Sequence, residues 1–191
     1  MKLIAPLILT LIAPLTFAEW NLSPDSAVKF LSTKNTNITE VHEFTKLSGK
    51  VSDEGEAEVT IDLASADTGI AIRNERMQSM LFNVSEYAQA RVSAELPDTL
   101  MLALSNGETA ISTLPMTLEL HGVEKEIEAD VLATAGADGH VIVTTRSPVL
   151  IKADVWDLAD GIDALREVAG LDRISTTVPV TFTLLFTPAS K

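Results

Sequence analysis

Apolar residues recur at every second position through most of this chain, and that period of two constrains the fold more than any other feature. Ala57, Val59, Ile61 and Leu63 alternate with Glu58, Thr60 and Asp62. Ala90, Val92, Ala94 and Leu96 alternate with Arg91, Ser93 and Glu95. Leu114, Met116, Leu118 and Leu120 alternate with Thr113, Thr117 and Glu119, and Ile127, Ala129, Val131 and Ala133 with Glu126, Glu128 and Asp130. Val178, Val180, Phe182, Leu184 and Phe186 close the series against Pro179, Thr181 and Thr183. Successive side chains of a strand point to opposite faces, so each segment reads as a strand with one apolar and one wet face.

The intervening stretches add strands of weaker signature. Trp20 to Ser32 carries Val28 and Phe30 on one face. In 38–51, Val41, Phe44 and Leu47 are three apart, which suits a helix, but the surrounding residues are β-formers, so the stretch reads as a bulged strand. Leu100 to Leu104 reads as a short strand before the Ser105-Asn106-Gly107 turn. Val141 and Val143 begin another strand, continued by Val149, Ile151, Ala153 and Val155. Two short helices interrupt the pattern. One follows Asn74 as N-cap, with Met77, Met80 and Leu81 on one side. The other spans Asp160 to Gly170, with Ile162, Leu165 and Val168-Ala169 on one side.

About eight or nine one-faced strands and only two short helices leave the apolar faces without a covering layer. Closing the sheet on itself buries those faces and removes free edges. The expectation is all-β: a closed antiparallel barrel of about eight strands, with a two-sheet sandwich as the alternative of equal periodicity. An eight-stranded barrel has room inside for side chains or one small ligand.

Charge and composition exclude several classes. The formal charge is −13, which repels nucleic-acid phosphates and anionic lipid headgroups. With no cysteine, the chain has no disulfide, no lipid-acylated Cys, no thiolate metal site and no Cys nucleophile. Residues 1–18 read as a secretory signal peptide: Lys2, an apolar run from Leu3 to Leu15, and small Thr16 and Ala18 before the cut. Residues 19–191 then form one domain in the periplasm of a Gram-negative cell.

The run IDLASADTGIAIRNERM followed by LFNVSEY resembles the signature of the YceI-like family. The matching positions are Ser65, Asp67, Thr68, Gly69, Arg73, Phe82, Val84 and Tyr87, and LELHGVEKEIEADV resembles the family's hairpin. Departures include Arg76 where a His is common, Leu81-Phe82 for a Phe pair, Ala88 for a Pro, and His42-Glu43 where the second strand usually has a Gly. The resemblance implies a lipocalin-like barrel, secreted or periplasmic, enclosing a long isoprenoid chain.

No catalytic constellation accompanies it. There is no G-x-S-x-G elbow, phosphate-cradling loop or H-E-x-x-H. His42, His121 and His140 lie in separate segments and read as surface or turn residues, so no metal site and no cofactor are expected. Asp67 and Thr68 read as holding their loop through backbone hydrogen bonds. Arg73 and Arg76 are candidates to meet a ligand headgroup; the competing reading pairs them with Asp67, Glu75 or Glu86. The interior rows that would line a cavity are Val28, Phe30, Val59, Ile61, Val92, Met116, Leu118, Val143, Ile151, Phe182 and Leu184. Small residues on those faces (Ala57, Ala90, Ala94, Ala129, Ala133 and Ala153) hint at remaining space.

The sequence therefore points to a non-enzymatic binding protein that encloses an isoprenoid-type lipid, polyprenyl or quinone-like, for storage or transport. The alternative is an envelope-interaction or stress-response protein with a filled barrel. A homodimer and an envelope protein partner are both open.

Overall fold

The computed structural model describes residues 19–189. Eight strands run up and down in chain order: β1 (Trp20–Leu22 and Ala27–Lys34), β2 (Ile38–Phe44 and Leu47–Val51), β3 (Glu56–Asp62), β4 (Gln89–Glu95), β5 (Thr109–Leu120), β6 (Val123–Ala135), β7 (Val141–Thr145 and Val149–Lys152) and β8 (Thr177–Pro188). Each pairs antiparallel with the next. β8 returns to β1 over Trp20↔Pro188 and Val28↔Phe182, so the sheet closes into a barrel. The alternating faces dictate this, because closure gives every apolar face the same shared interior.

The bulge expected within 38–51 takes the form of a break at Thr45-Lys46. The β1–β2 register shifts by one residue across it, from Val28↔Phe44 to Trp20↔Val51. Facing therefore changes parity. His42 and Phe44 point inward before the break and Val51 after it, whereas Val41 is 63% exposed. The three-residue spacing of Val41, Phe44 and Leu47 was not one apolar face.

Connections of unequal length build the two ends. At one end, α2 (Asp98–Ser105) lies between β4 and β5. The sequence reading of Leu100–Leu104 as a strand is corrected: Pro97 precedes the helix with extended backbone, and Leu100, Met101 and Leu104 plug the barrel from one helix face. The strand continuation through Ala153 and Val155 is also corrected, since 3-10 turns occupy Ala153–Trp156.

At the opposite end, α1 (Ala71–Arg76) continues into a π-helical turn over Met77–Leu81, closed by the Phe82 amide donating to the Met77 carbonyl at 2.9 Å. The helix starts at Ala71, not after Asn74. The Asn74 side chain instead reaches back, its Oδ1 accepting from the Thr68 amide at 2.9 Å and the Thr68 hydroxyl at 2.6 Å. α3 (Ala159–Val168) packs on the π turn. The α1–π segment and α3 together form a lid.

The signature and the hairpin motif meet at this end. Tyr87 stacks on His121 with ring centroids 4.3 Å apart. His121 and Gly122 turn the β5–β6 hairpin at φ 53° and 76°, and a Cβ on Gly122 would lie 2.8 Å from the Tyr87 ring. Both the turn and the close ring require glycine there.

Candidate functional site

Inside the barrel is a cavity of about 250 Å³ whose lining residues are all apolar. Each strand contributes to it, as do Met77, Leu81 and Phe82 of the lid and Leu100 and Leu104 of the plug. On β5 alone, Leu114, Met116, Leu118 and Leu120 line the wall, a run of roughly 20 Å at 3.3–3.4 Å per residue. Spread over that length, the volume describes a narrow channel suited to one extended hydrocarbon chain.

All eleven interior-row residues, Val28, Phe30, Val59, Ile61, Val92, Met116, Leu118, Val143, Ile151, Phe182 and Leu184, stand on this wall. So do five of the six small residues; Ala129, 1% exposed, is buried in the core without reaching the cavity lining. The sequence reading omitted Trp20, further strand positions such as Phe44, Val51, Leu114, Leu120 and Phe186, and the lid and plug residues. Trp20 is buried and its indole N–H donates to the Gly139 carbonyl at 3.0 Å. Lid and plug positions lie in helices, outside the alternation that marks the wall.

The cavity has a definite physical preference. A water molecule needs two to four polar partners, and this wall offers none, so an apolar guest is favoured. Leaving about 250 Å³ unfilled would cost about 6 kcal/mol at roughly 24 cal/mol per Å³. That is comparable with the whole net stability of many domains, so an apolar guest filling the cavity would stabilise the fold.

Polar residues gather beside the cavity at the lid end. Phe30 and Phe44, both on the cavity wall, stack 5.0 Å apart, and His42 sits 5.2 Å from Phe30. His42 is 4% exposed, which corrects its reading as a surface residue. Its Nε2 shares a 2.8 Å hydrogen bond with the Ser32 hydroxyl. Burial, then the nearby Arg73 charge, holds its pKa below the ordinary value.

Next to it lies an ion-pair network between the β1–β2 hairpin and the lid. Glu40 Oε2 accepts from Arg73 Nη1 at 2.6 Å and from Lys34 Nζ at 2.7 Å. Arg73 also donates from Nε to the Thr68 hydroxyl at 3.0 Å and from Nη2 to the Thr68 carbonyl at 3.1 Å. Its acidic partner is thus Glu40, not the nearby Asp67, Glu75 or Glu86. Arg76 is half-buried, and its side chain has no ion pair or hydrogen bond among the described residues. Neither arginine lines the cavity. Asp67 holds the loop as expected, its Oδ1 accepting from the Gly69 amide at 2.9 Å. Among the described residues no group of His, Asp and Glu is arranged to hold a metal ion.

Hydrogen bonds from Lys34 and then Arg73 lower the Glu40 pKa from 4.5 to about 2. The folded value lies below the unfolded one, so Glu40 adds stability above pH 4.5 and loses it as pH falls toward 2. Glu40→Gln is expected to cost about 1 kcal/mol at neutral pH, since the partly exposed carboxylate is solvent-screened. It should also flatten stability against pH between 4.5 and 2. Denaturant unfolding at stepped pH measures both; an unchanged acid slope would remove Glu40 as the group responsible.

A closed eight-stranded antiparallel barrel around an apolar channel defines a lipocalin-like protein. The chain belongs to the YceI-like domain family, which matches residues 20–186. A solved polyisoprenoid binding domain from Saccharophagus degradans, implicated in plant cell wall breakdown, is 38% identical with a TM-score of 0.84, over 91% of this chain and 99% of that one. BcnA of Burkholderia cenocepacia is 19% identical with a TM-score of 0.67, over 87% of this chain and 99% of that one. The Campylobacter jejuni YceI protein is 16% identical with a TM-score of 0.56, over 78% and 85%. These last two share the fold. A comparison with curated protein sequences found no match.

Proposed function

We propose that this chain is a carrier that holds the hydrocarbon tail of an isoprenoid lipid, polyprenyl or quinone-like, along the barrel axis for storage or transport. The single observation that carries the reading is the channel, apolar on every lining residue and running much of the barrel's length. Burial of hydrocarbon at about 25 cal/mol per Å² supplies the affinity. The likeness to a polyisoprenoid binding domain supports the choice of tail. Arg76, on the lid with no side-chain ion pair or hydrogen bond among the described residues, is the candidate to meet a polar head, since a guanidinium matches phosphate or carbonyl groups. The lining offers no nucleophile and no base, which supports a binding role over a catalytic one. A barrel filled by its own side chains, the other reading, does not fit the cavity.

The signal-peptide reading of 1–18 lies outside the described residues. It supports a periplasmic location, with Glu19 as the expected start of the mature chain. Native mass spectrometry of protein purified without detergent tests the carrier reading. The expected result is a bound lipid whose mass series steps by isoprene units. Protein that is reproducibly bare, and takes up no polyprenol from micelles, would overturn it.

A further inference from the structure

Gly69, Ile70, Ala71 and Ile72 are all exposed and consecutive at the leading edge of the lid. Ile70 is 48% exposed and Ile72 53%. A run of exposed apolar residues contributes nothing to a core and calls for a functional reason. This one is also held rigidly. The Asp67 carboxylate accepts from the Gly69 amide, Asn74 Oδ1 accepts from the Thr68 amide, and Arg73 ties Thr68 to Glu40. The Ile70 carbonyl accepts from the Arg73 and Asn74 amides at 3.0 Å. Polar residues of the signature therefore build a clamp that presents two isoleucines to the outside.

We propose that this tip inserts into the apolar layer of a lipid bilayer and seats the lid end of the barrel on the membrane. Four features favour a bilayer as occupant. The tip belongs to the lid that covers the channel, so docking would bring the channel's closure to the membrane. Ile38 and Met80, 47% and 37% exposed, lie in or beside connections at the same end. Arg76 follows within the same short helix, uncommitted, with a guanidinium suited to lipid phosphate. A net charge of −13 opposes attraction to anionic headgroups, so hydrophobic insertion into a zwitterionic surface is the mode that remains. A clamped tip has little ordering entropy left to lose on insertion.

The choice of a bilayer over a protein leans on the carrier reading, but its test is separate. Full-length mature protein is mixed with vesicles of phosphatidylcholine and phosphatidylethanolamine and floated on a density gradient. Wild type should co-float, and the double variant Ile70→Ser, Ile72→Ser should partition about tenfold more weakly or worse, given about 0.8 kcal/mol per buried methylene. Both side chains are exposed, so melting temperature should not move. Transfer of a polyprenol from vesicles should slow by the same factor, while uptake from detergent micelles stays unchanged. In a chain without cysteine, Ile72→Cys carries one environment-sensitive dye whose emission should shift blue on vesicles.

Failure of wild type to float, or equal flotation of the variant, overturns the proposal. So does loss, in the variant, of a cross-link to a protein with vesicle binding intact, which would make the occupant a protein. Flotation that depends on the two isoleucines, from a chain that binds no isoprenoid, upholds docking and overturns the carrier reading alone.

Discussion

A chain carrying both Ala90→Phe and Ala133→Phe is expected to fold and to come out of the cell without bound isoprenoid. Both alanines are buried and stand on the channel wall. Ala90 lies opposite Ile61 on β3, toward the lid, and Ala133 lies opposite Ala110 on β5 and Val143 on β7, toward the plug. A cavity of about 150 Å³ takes one benzene, so two phenyl rings leave no free volume in a channel of about 250 Å³. Affinity for a polyprenol should fall at least about a hundredfold, roughly 2.7 kcal/mol. Stability of the lipid-free form should move the other way. Filling the void offsets up to about 6 kcal/mol, against about 1–3 kcal/mol of overpacking strain at each site. Native mass spectrometry reads the first effect and thermal unfolding of delipidated protein the second. Retained lipid in the double variant would place the binding site elsewhere than the channel.

Those two alanines illustrate how much of the site was legible. Their parity on the strand was readable because side-chain direction in a sheet depends only on position: Ala90 alternates with Arg91, and Ala133 keeps the parity of Ala129 and Val131, which alternate with Glu128 and Asp130. Every interior-row residue from Val28 to Leu184 reached the channel for that reason. Barrel closure followed from the shortage of helices, an argument about burial and not about any one residue. What failed was local spacing without context. Leu100, Met101 and Leu104 have helical spacing, but an unbroken apolar run between turn signals looks equally like a short strand. The shift of register at Thr45-Lys46 reversed which residues face inward, and no residue type there announces it. His42 became a buried residue because the shifted strand turns it toward Phe30 and Ser32.

Long-range pairing was hidden for a different reason. Glu40 and Arg73 are 33 residues apart, and sequence offers Arg73 nearer carboxylates at Asp67, Glu75 and Glu86. Only the packing of the lid against the β1–β2 hairpin selects Glu40. The signature residues Asp67, Thr68 and Asn74 were readable as loop-forming, yet their shared purpose of holding the Ile70–Ile72 tip depends on the helix starting at Ala71. Local propensity placed that start four residues too late because Asn74 is a good cap in isolation; here its side chain caps the loop from inside the helix.

Gly161→Val is expected to be the most disruptive single change in the lid. Gly161 lies in the first turn of α3, where this helix crosses the π turn of the lid. A Cβ at that position would sit 2.8 Å from the Met80 carbonyl oxygen and 2.9 Å from the Leu81 Cα. Both neighbours are backbone, so no side-chain rotation can relieve the contact. The two helices must separate. Separation would withdraw Leu81 and Ile162 from the channel wall together, because the first sits on one side of the contact and the second is the next residue after Gly161. Buried Ile162 and partly buried Leu81 then lose part of their packing, so a loss of about 2–5 kcal/mol is expected. The same separation unseals the channel at the lid, so bound polyprenol should exchange at least tenfold faster. Gly161→Ala places only the Cβ there and should give a smaller shift in the same two readouts. Denaturant unfolding and exchange of a fluorescent polyprenol measure them side by side. A variant that lost stability with unchanged exchange would mean that α3 braces the barrel without gating it.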